Sequence, residues 1–291
     1  MNPLVTVVTP VYNAMPYLPE YLNCLKQQTW RPMSVILVDD GSTDTSAECL
    51  LREEEALKQA GLSVRIIRAS HCGQAAAMNL ALPFIEGEYF TWCDADDVLT
   101  SDSVEKKVRW LMEHPEIGMV RSDGLVLDAD LGVVLSHSAK ERDRCQKSVF
   151  EDLFMDRTYC YAGCYMVRTS LFFACYPEKK MPESPEGQNL QLLLPPASRT
   201  ECGFIAETLH TYCRRKSGHS SMQRSYQETM RRMKNFTALR LEILNYCECD
   251  RAHYEALAKE LEEKNRQILL YSAVQRARKE LEHEHRDIDI S

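Results

Sequence analysis

Between residues 4 and about 120, short β-branched runs alternate with longer amphipathic stretches, and no other feature narrows the fold of this chain as much. Residues 4–10, 34–39, 63–68 and 89–93 read as strands. Residues 17–28, 43–60 and 73–86 carry apolar side chains at three-and-four spacing and read as helices. Repeated β-α-β units of this kind give an α/β fold on a mainly parallel sheet with helices on both faces. Thr43 ahead of Ala47-Glu48 marks a helix start and Gly61 a stop; Ser101 with Glu105 opens a further helix that runs to His114-Pro115.

Beyond residue 117 the regularity weakens. Short strands are expected at 119–120, 125–127 and 133–135, a mixed extension of the sheet. Residues 188–194 read as a short helix stopped by Pro195-Pro196, and 203–213 as two short strands. Between Gln223 and Asp287 there is neither Gly nor Pro, and Leu, Tyr and Met recur at helical spacing. This predicts a helical C-terminal extension over 222–291, appended to a body over 1–221 whose two halves divide at about residue 120. The extension carries thirteen basic and thirteen acidic residues from Gln223 to Ser291. It therefore lacks the basic face of a helix lying on anionic lipid. Packing against the body, or against a second copy in a homodimer, is expected, with peripheral membrane association the lesser reading.

Charge and cysteine usage exclude other classes. The 35 basic side chains against 43 acidic ones give −8, so the chain has no electrostatic footprint for nucleic acid. Apolar runs such as 4–8 and 190–194 fall far short of the ~20 residues that cross a bilayer. The first residues lack the basic region and apolar stretch of a signal peptide. The expected location is cytoplasmic, at the inner face of the membrane should the extension attach there. Twelve cysteines without a C-x2-C pair read as free thiols rather than as disulfides or a structural zinc site.

In an open α/β sheet, ligands bind beyond the carboxyl ends of the strands. Three such ends are polar here: Thr9-Pro10-Val11-Tyr12-Asn13, Asp39-Asp40-Gly41-Ser42-Thr43-Asp44 and Asp94-Ala95-Asp96-Asp97. Adjacent carboxylates repel, so an apolar strand that runs into several of them points to a divalent cation, Mn²⁺ or Mg²⁺, completed by a nucleotide diphosphate. A solvated turn or helix cap explains any one Asp, but poorly explains three strand ends together. Neither G-x-G-x-x-G nor G-x-x-x-x-G-K-[ST] occurs, so no glycine loop is available to cradle phosphates.

Residues 5–13, then Gln28-Thr29-Trp30, Val38-Asp39-Asp40-Gly41-Ser42-Thr43-Asp44, Gly73-Gln74 with Asn79, and Gly87-Glu88-Tyr89 leading to Asp94-Ala95-Asp96-Asp97 resemble family 2 glycosyltransferases of the GT-A fold. The resemblance is dense over residues 4–125, weaker to about 221, and absent from the extension. It implies a Rossmann-like GT-A domain that binds a UDP-sugar. Pro10 and Tyr12 would line the base pocket, with Tyr12 stacking on uracil; Asp40 would bond the base edge, with Asp39 supporting it. Asp94 would face the ribose and Asp96 the metal. Residues 214–221 resemble the segment that closes over the diphosphate, which implies His219 as a further metal ligand and Arg214 or Lys216 as a phosphate partner.

The chain departs from the family where the base belongs. An inverting transfer needs a carboxylate to take the acceptor proton, and many family 2 enzymes supply it from a Glu-Asp pair at a helix start. Here Gln188 and Asn189 occupy that place, and an amide accepts no proton at neutral pH. Glu183-Ser184-Pro185-Glu186-Gly187-Gln188-Asn189 resembles a bacterial branch with a Gly-Gln-Asn motif. Glu183 is then the first choice of base, Glu186 the second and Asp123 an outside candidate, while Gln188 and Asn189 position the acceptor or the sugar hydroxyls. The resemblance thus implies a metal-dependent inverting transferase acting on a glycan or lipid-linked acceptor in bacterial surface polysaccharide biosynthesis. The rival reading is a nucleotide-sugar-binding subunit without transfer activity that recruits a partner through its helical extension. A nucleotidyltransferase is disfavoured, because no Gly-rich basic triphosphate loop follows the first strand.

Overall fold

Strand β1 (Val5–Val11) is buried along its whole length and β2 (Met33–Asp40) everywhere except Ser34, the pattern of central parallel strands covered on both faces. The structure, a computed structural model, describes residues 1–216 and 224–288, with side chains through Tyr271. β1 pairs in parallel with β2 on one side and with β4 (Tyr89–Trp92) on the other, and β2 pairs in parallel with β3 (Leu62–Ala69). The crossovers are helices α1 (Leu18–Gln27), α2 (Ser46–Gln59) and α3 (Gln74–Ala81). Gly87 lets β4 enter tightly: a Cβ there would stand 2.7 Å from the Thr6 backbone nitrogen.

The second half of the sheet is mixed. After the two-residue β5 (Val98–Leu99) and α4 (Ser103–Glu113), the chain forms β6 (Met119–Asp128) and the exposed β7 (Val133–His137), which pairs back on β6. It then passes α5 (Phe150–Phe154) and returns as β8 (Tyr165–Arg168), antiparallel to both β4 and β6. With β7 and the short α5 in the connection, β8 runs back antiparallel to β6. Helices α6 (Thr169–Cys175) and α7 (Asn189–Ala197) lead to β9 (Cys202–Arg214), parallel to β6 and antiparallel to β5. Among the described residues the sheet has nine strands, in the order β3-β2-β1-β4-β8-β6-β9-β5 with β7 off β6. The first four strands are parallel and the strands after residue 117 mixed, as the sequence pattern led one to expect.

Two local expectations are corrected, and the extension is resolved into its parts. Residues 203–213 form one strand rather than two: a register shift between Ser122 and Asp123 absorbs Ala206 and Glu207 without ending the strand. Helix α7 runs through Pro195 and Pro196 instead of stopping before them. Proline at 195 removes the N–H that would serve the Gln191 carbonyl, and the Tyr176 hydroxyl donates to that oxygen instead at 2.9 Å. The extension is two helices, α8 (Tyr226–Ile243) and α9 (Arg251–Ile288), with a break between them despite the lack of Gly and Pro.

Each face of the sheet has its own core. α1, α2 and α4 cover one face with Leu18, Leu22, Leu50, Val104 and Leu111; the other face is covered by α3 and α5 to α8 around Phe90, Trp92, Phe154 and Tyr176. Such a side chain contributes about 1.5–3 kcal/mol on burial. The extension belongs to this second core. Leu239, Ile243 and Leu244 are buried in it, as are Ala258 and Leu261 of α9. Arg240 is 4% exposed and donates to the Phe154 carbonyl at 2.8 Å and to Asp156 Oδ2 at 2.6 Å. Packing against the body is therefore what the first part of the extension does, whereas Ile268, Leu270 and Tyr271 remain exposed. Among the described residues no helix is long and apolar enough to cross a membrane.

Candidate functional site

The loops after β1 and β2 are sewn together. Asn13 takes up a left-handed backbone (φ 48°), which Asn tolerates better than most residues. Its Oδ1 accepts from the N–H of Thr43 at 2.8 Å and of Asp44 at 3.2 Å. Ser42 Oγ accepts from Asn13 N–H, and Ser46 Oγ from Ala14 N–H. Asp39 accepts from Ser42 N–H at 3.1 Å, closing the turn. Asp40 reaches the other way: its carboxylate accepts from Cys72 N–H at 2.8 Å and Gly73 N–H at 3.0 Å, and its Oδ2 lies 2.9 Å from His71 Nδ1. Gly41 makes that approach possible, because a Cβ there would stand 2.5 Å from the His71 nitrogen. His71 stacks on Tyr12, ring centroids 4.1 Å apart and planes 19° apart.

The loop after β4 brings the acidic run to the same edge. Asp97 is buried and held from two sides, by His210 Nε2 at 3.0 Å and Cys213 N–H at 2.9 Å. Burial pulls His210 towards the neutral form, but Cys164 and Asp97 outweigh it and raise its pKa well above the ordinary range. Asp94 and Asp96 face the cleft. Burial first, then Asp97 and Asp96, push the Asp94 carboxyl up to about 7, although Gln188 Nε2 donates to it at 3.1 Å. Burial and Asp97 push Asp96 up to about 6, against the pull of Arg215. Arg215 Nη1 lies 3.1 Å from Asp96 Oδ2, and its guanidinium sits 3.7 Å over the Tyr17 ring.

Two cavities meet at this acidic pair. The larger, about 750 Å³, runs along the strand ends past Pro10, Tyr12, Asp40 and His71. The smaller, about 270 Å³, lies between β9, α7 and α8, with Glu186, Gln188 and Asn189 in its wall. Gln74, Asp94, Asp96 and Gly187 line both. α8 contributes Arg232, Phe236 and Leu239, so the first helix of the extension is part of the site. Glu186 is pinned by Arg232 Nε at 3.0 Å and Asn235 Nδ2 at 2.8 Å. Asn189 Oδ1 accepts from Trp92 Nε1 at 2.8 Å.

The expected site residues therefore separate. Pro10, Tyr12, Asp40, Asp94, Asp96, Glu186, Gln188 and Asn189 all border one cavity or both. Asp39 sits one layer beneath, holding the turn. Glu183, the first choice of base, borders neither: it is exposed and accepts from Asn79 Nδ2 at 3.2 Å. Asp123 is buried and spent on the Gly124 and Ala139 N–H groups and on His137. Arg214 turns to Asp128 and the Lys216 N–H to Asp130 Oδ2, leaving Arg215 as the cation of that run that faces the cleft. His219 lies outside the described residues. Arg215 was missed because three basic residues in a row look alike; the two-residue period of β9 separates them, since Cys213 and Arg215 share one side. Arg232 and Phe236 come from a helix whose sequence carries no site signal.

Among the described residues no group of three or more His, Cys, Asp or Glu is arranged to hold a metal. Two half-buried carboxylates with raised pKa values, facing a cavity, nevertheless fit a hard cation that keeps most of its coordination for phosphate and water.

A parallel nucleotide-type half-sheet, a mixed second half and an acidic pair at the junction of two cavities define a GT-A type fold. The model for "Glycosyl transferase family 2" matches residues 6–162, more than half of the chain, and the chain belongs to that family. It is 35% identical over 113 residues to an uncharacterized glycosyltransferase of Haemophilus influenzae, covering 38% of this chain and 44% of that protein. It is 39% identical over 105 residues to the teichoic acid poly(glycerol phosphate) polymerase of Staphylococcus epidermidis, covering 36% of this chain and 14% of the polymerase. The chain thus spans less than half the length of these curated relatives. Residues 1–349 of S. aureus TarS in complex with UDP-GlcNAc superpose with a TM-score of 0.65 at 21% identity, covering 88% of this chain and 71% of that one. The mannosyltransferase PcManGT of Pyrobaculum calidifontis, in complex with GDP-Man and Mn²⁺, gives 0.57 at 17% identity, covering 97% and 81%. At such identities the likeness to the two structures is one of fold.

Proposed function

We propose that the protein is an inverting glycosyltransferase that moves a sugar from a UDP-sugar to a glycan or lipid-linked acceptor in bacterial surface polysaccharide synthesis. The observation that carries this reading is the meeting of two cavities at Asp94 and Asp96. A donor in the larger and an acceptor in the smaller would place the anomeric carbon and the attacking hydroxyl at their junction, as direct displacement requires. The nucleotide-sugar complexes of TarS and PcManGT, and the polymer made by the S. epidermidis relative, agree in kind.

In this reading Tyr12 stacks the base on its exposed side, and the 71–73 segment held by Asp40 walls the base pocket. Asp96, with Asp94 beside it, would hold Mn²⁺ or Mg²⁺. When bound, the ion neutralises charge on the diphosphate as it leaves. Arg215, paired with Asp96 at the junction of the cavities, would meet the same phosphates. The acceptor oxygen bonds to the anomeric carbon, the bond to the diphosphate oxygen breaks with its electron pair, and the hydroxyl proton goes to Glu186. Glu186 takes this role over Glu183 because it lines the acceptor chamber. Gln188 and Asn189, fixed by Asp94 and Trp92, orient sugar hydroxyls.

The test is UDP release from a panel of UDP-sugars with Mn²⁺. Glu186→Gln should lose about 100-fold in rate, within the range of general-base catalysis, and Glu183→Gln should behave as wild type. Asp96→Asn should abolish metal-dependent UDP binding, whereas Asp102→Asn, which pairs with Lys106 on the surface, should not. Retained UDP binding with no turnover of any donor would sink the transferase reading and leave the binding subunit.

A further inference from the structure

Tyr161 and Tyr212 lie face to face in the wall of the smaller chamber, ring centroids 4.6 Å apart and planes 11° apart. Tyr161 comes from the segment before β8 and Tyr212 from β9, so the stack is held by two separate elements. Both rings are half-buried. Each phenol covers one face of the other, so the pair leaves its outer ring faces and hydroxyl edges for a ligand, and Phe236 on α8 adds a further ring to the same chamber. Gln188, Asn189 and Glu186 supply a hydrogen-bonding rim. A pyranose is built in the same way, with C–H groups on its faces and hydroxyls around its edge. The chamber, about 270 Å³, is smaller than the roughly 300–1,000 Å³ of sites that enclose drug-sized ligands, which suits one ring better than a chain.

The charges point in the same direction. Three carboxylates, Asp94, Asp96 and Glu186, border the chamber against two guanidiniums, Arg215 and Arg232. Both guanidiniums are already paired, Arg215 with Asp96 at 3.1 Å and Arg232 with Glu186 at 3.0 Å. In the donor-bound state Arg215 and the acidic pair would face the diphosphate and its ion, which leaves at the acceptor end Glu186 with Arg232 already paired to it and, among the described residues of this wall, no further cation for an acceptor phosphate. Resting on the transferase reading above, we propose that the smaller chamber takes the uncharged terminal pyranose ring of a glycan acceptor, stacked on an outer face of the Tyr161–Tyr212 pair, and discriminates against a polyol phosphate.

The experiment uses the full chain and saturation-transfer NMR, with and without UDP and Mn²⁺. The probes are methyl β-glucopyranoside, methyl β-galactopyranoside, methyl N-acetyl-β-glucosaminide and glycerol 3-phosphate. At least one glycoside should receive saturation at the C–H protons of one face, and glycerol 3-phosphate should receive none. Tyr161→Ala and Tyr212→Ala should each weaken the glycoside about threefold to tenfold, the worth of an aromatic contact. Tyr212→Phe should keep it, and UDP affinity measured by calorimetry should be unchanged in all three. That unchanged affinity shows that the variants are folded. The proposal is overturned if glycerol 3-phosphate binds as well as the best glycoside, if no glycoside binds, or if both alanine variants bind like wild type. Failure of wild type to bind UDP would instead strike the donor reading, and the glycoside arm without UDP would still read the platform.

Discussion

Around Tyr12 the cleft is held by backbone amides bonded to short polar side chains: Asn13 to the 43–44 turn, Asp39 to Ser42, and Asp40 to Cys72 and Gly73. Around Glu186 it is held by long side chains reaching between elements distant in sequence: Arg232 and Asn235 from α8, Trp92 from β4, and the Tyr161–Tyr212 stack. The first wall consists of loop chemistry fixed within a few residues of each strand end. The second wall exists only after helices and sheet have packed. In the first wall the motif residues therefore serve as scaffold, whereas in the second the scaffold lies outside the motifs.

Removing Asp40 should break the first wall most severely. Asp40→Ala leaves the Cys72 and Gly73 N–H groups without their carboxylate acceptor. It should cost about 3 kcal/mol in urea unfolding and reduce UDP binding with it. Arg232→Ala is the matching cut in the second wall and should cost only about 1 kcal/mol, since Asn235 still serves Glu186. Equal losses would erase the distinction between the walls.

The seam between them is testable by pH. Lys107, buried under α4, donates to Ser103 Oγ at 2.7 Å and to the Gly163 carbonyl at 2.6 Å, beside the segment that carries Tyr161. Burial lowers its pKa from the ordinary 10.5 to about 8. Between those values the folded state holds fewer protons than the unfolded chain, so stability from this group rises with pH. Wild type should gain about 3 kcal/mol relative to Lys107→Met as pH rises from about 7 to above 10. A flat difference would show that burial does not depress the pKa of Lys107. A smaller effect is expected at the outer edge of the second wall, where Arg240→Met leaves the Phe154 carbonyl unserved and should cost about 2 kcal/mol by thermal unfolding.

The same contrast explains how much could be read from sequence. β-branched runs announced β1 to β4, and the polar residues that end three of them are the ones that border the larger cavity. Burial on both faces forces a strand to be apolar, so polar residues at its end stand out. The second wall gave weaker signals. Glu183 and Glu186 look equivalent on paper, but Pro185 and Gly187, the latter at φ +104°, turn the chain so that one reaches the chamber and the other pairs with Asn79. The helix through Pro195 depends on a tyrosine hydroxyl nineteen positions earlier, which no local rule supplies. Glu207 and Thr208 interrupt the apolar run of β9 and read as a break, because the irregular pairing that carries the strand past them is set by β6 at Asp123, more than eighty positions away.

The tethering of Asp97 to His210 and Cys213 also has a consequence for how the chain reaches this state. These contacts span 113 and 116 positions. As a nascent chain leaves the ribosome, the first four strands and the whole acidic run are available well before β9. Until then Asp94, Asp96 and Asp97 lack both their anchor and Arg215, and β4 offers an open edge where β8 will later lie. Long-range pairing of this kind forms late and slowly. The cleft is consequently among the last parts of the molecule to be completed, and a chain arrested before β8 would expose an unpaired edge beside a patch of mutually repelling carboxylates.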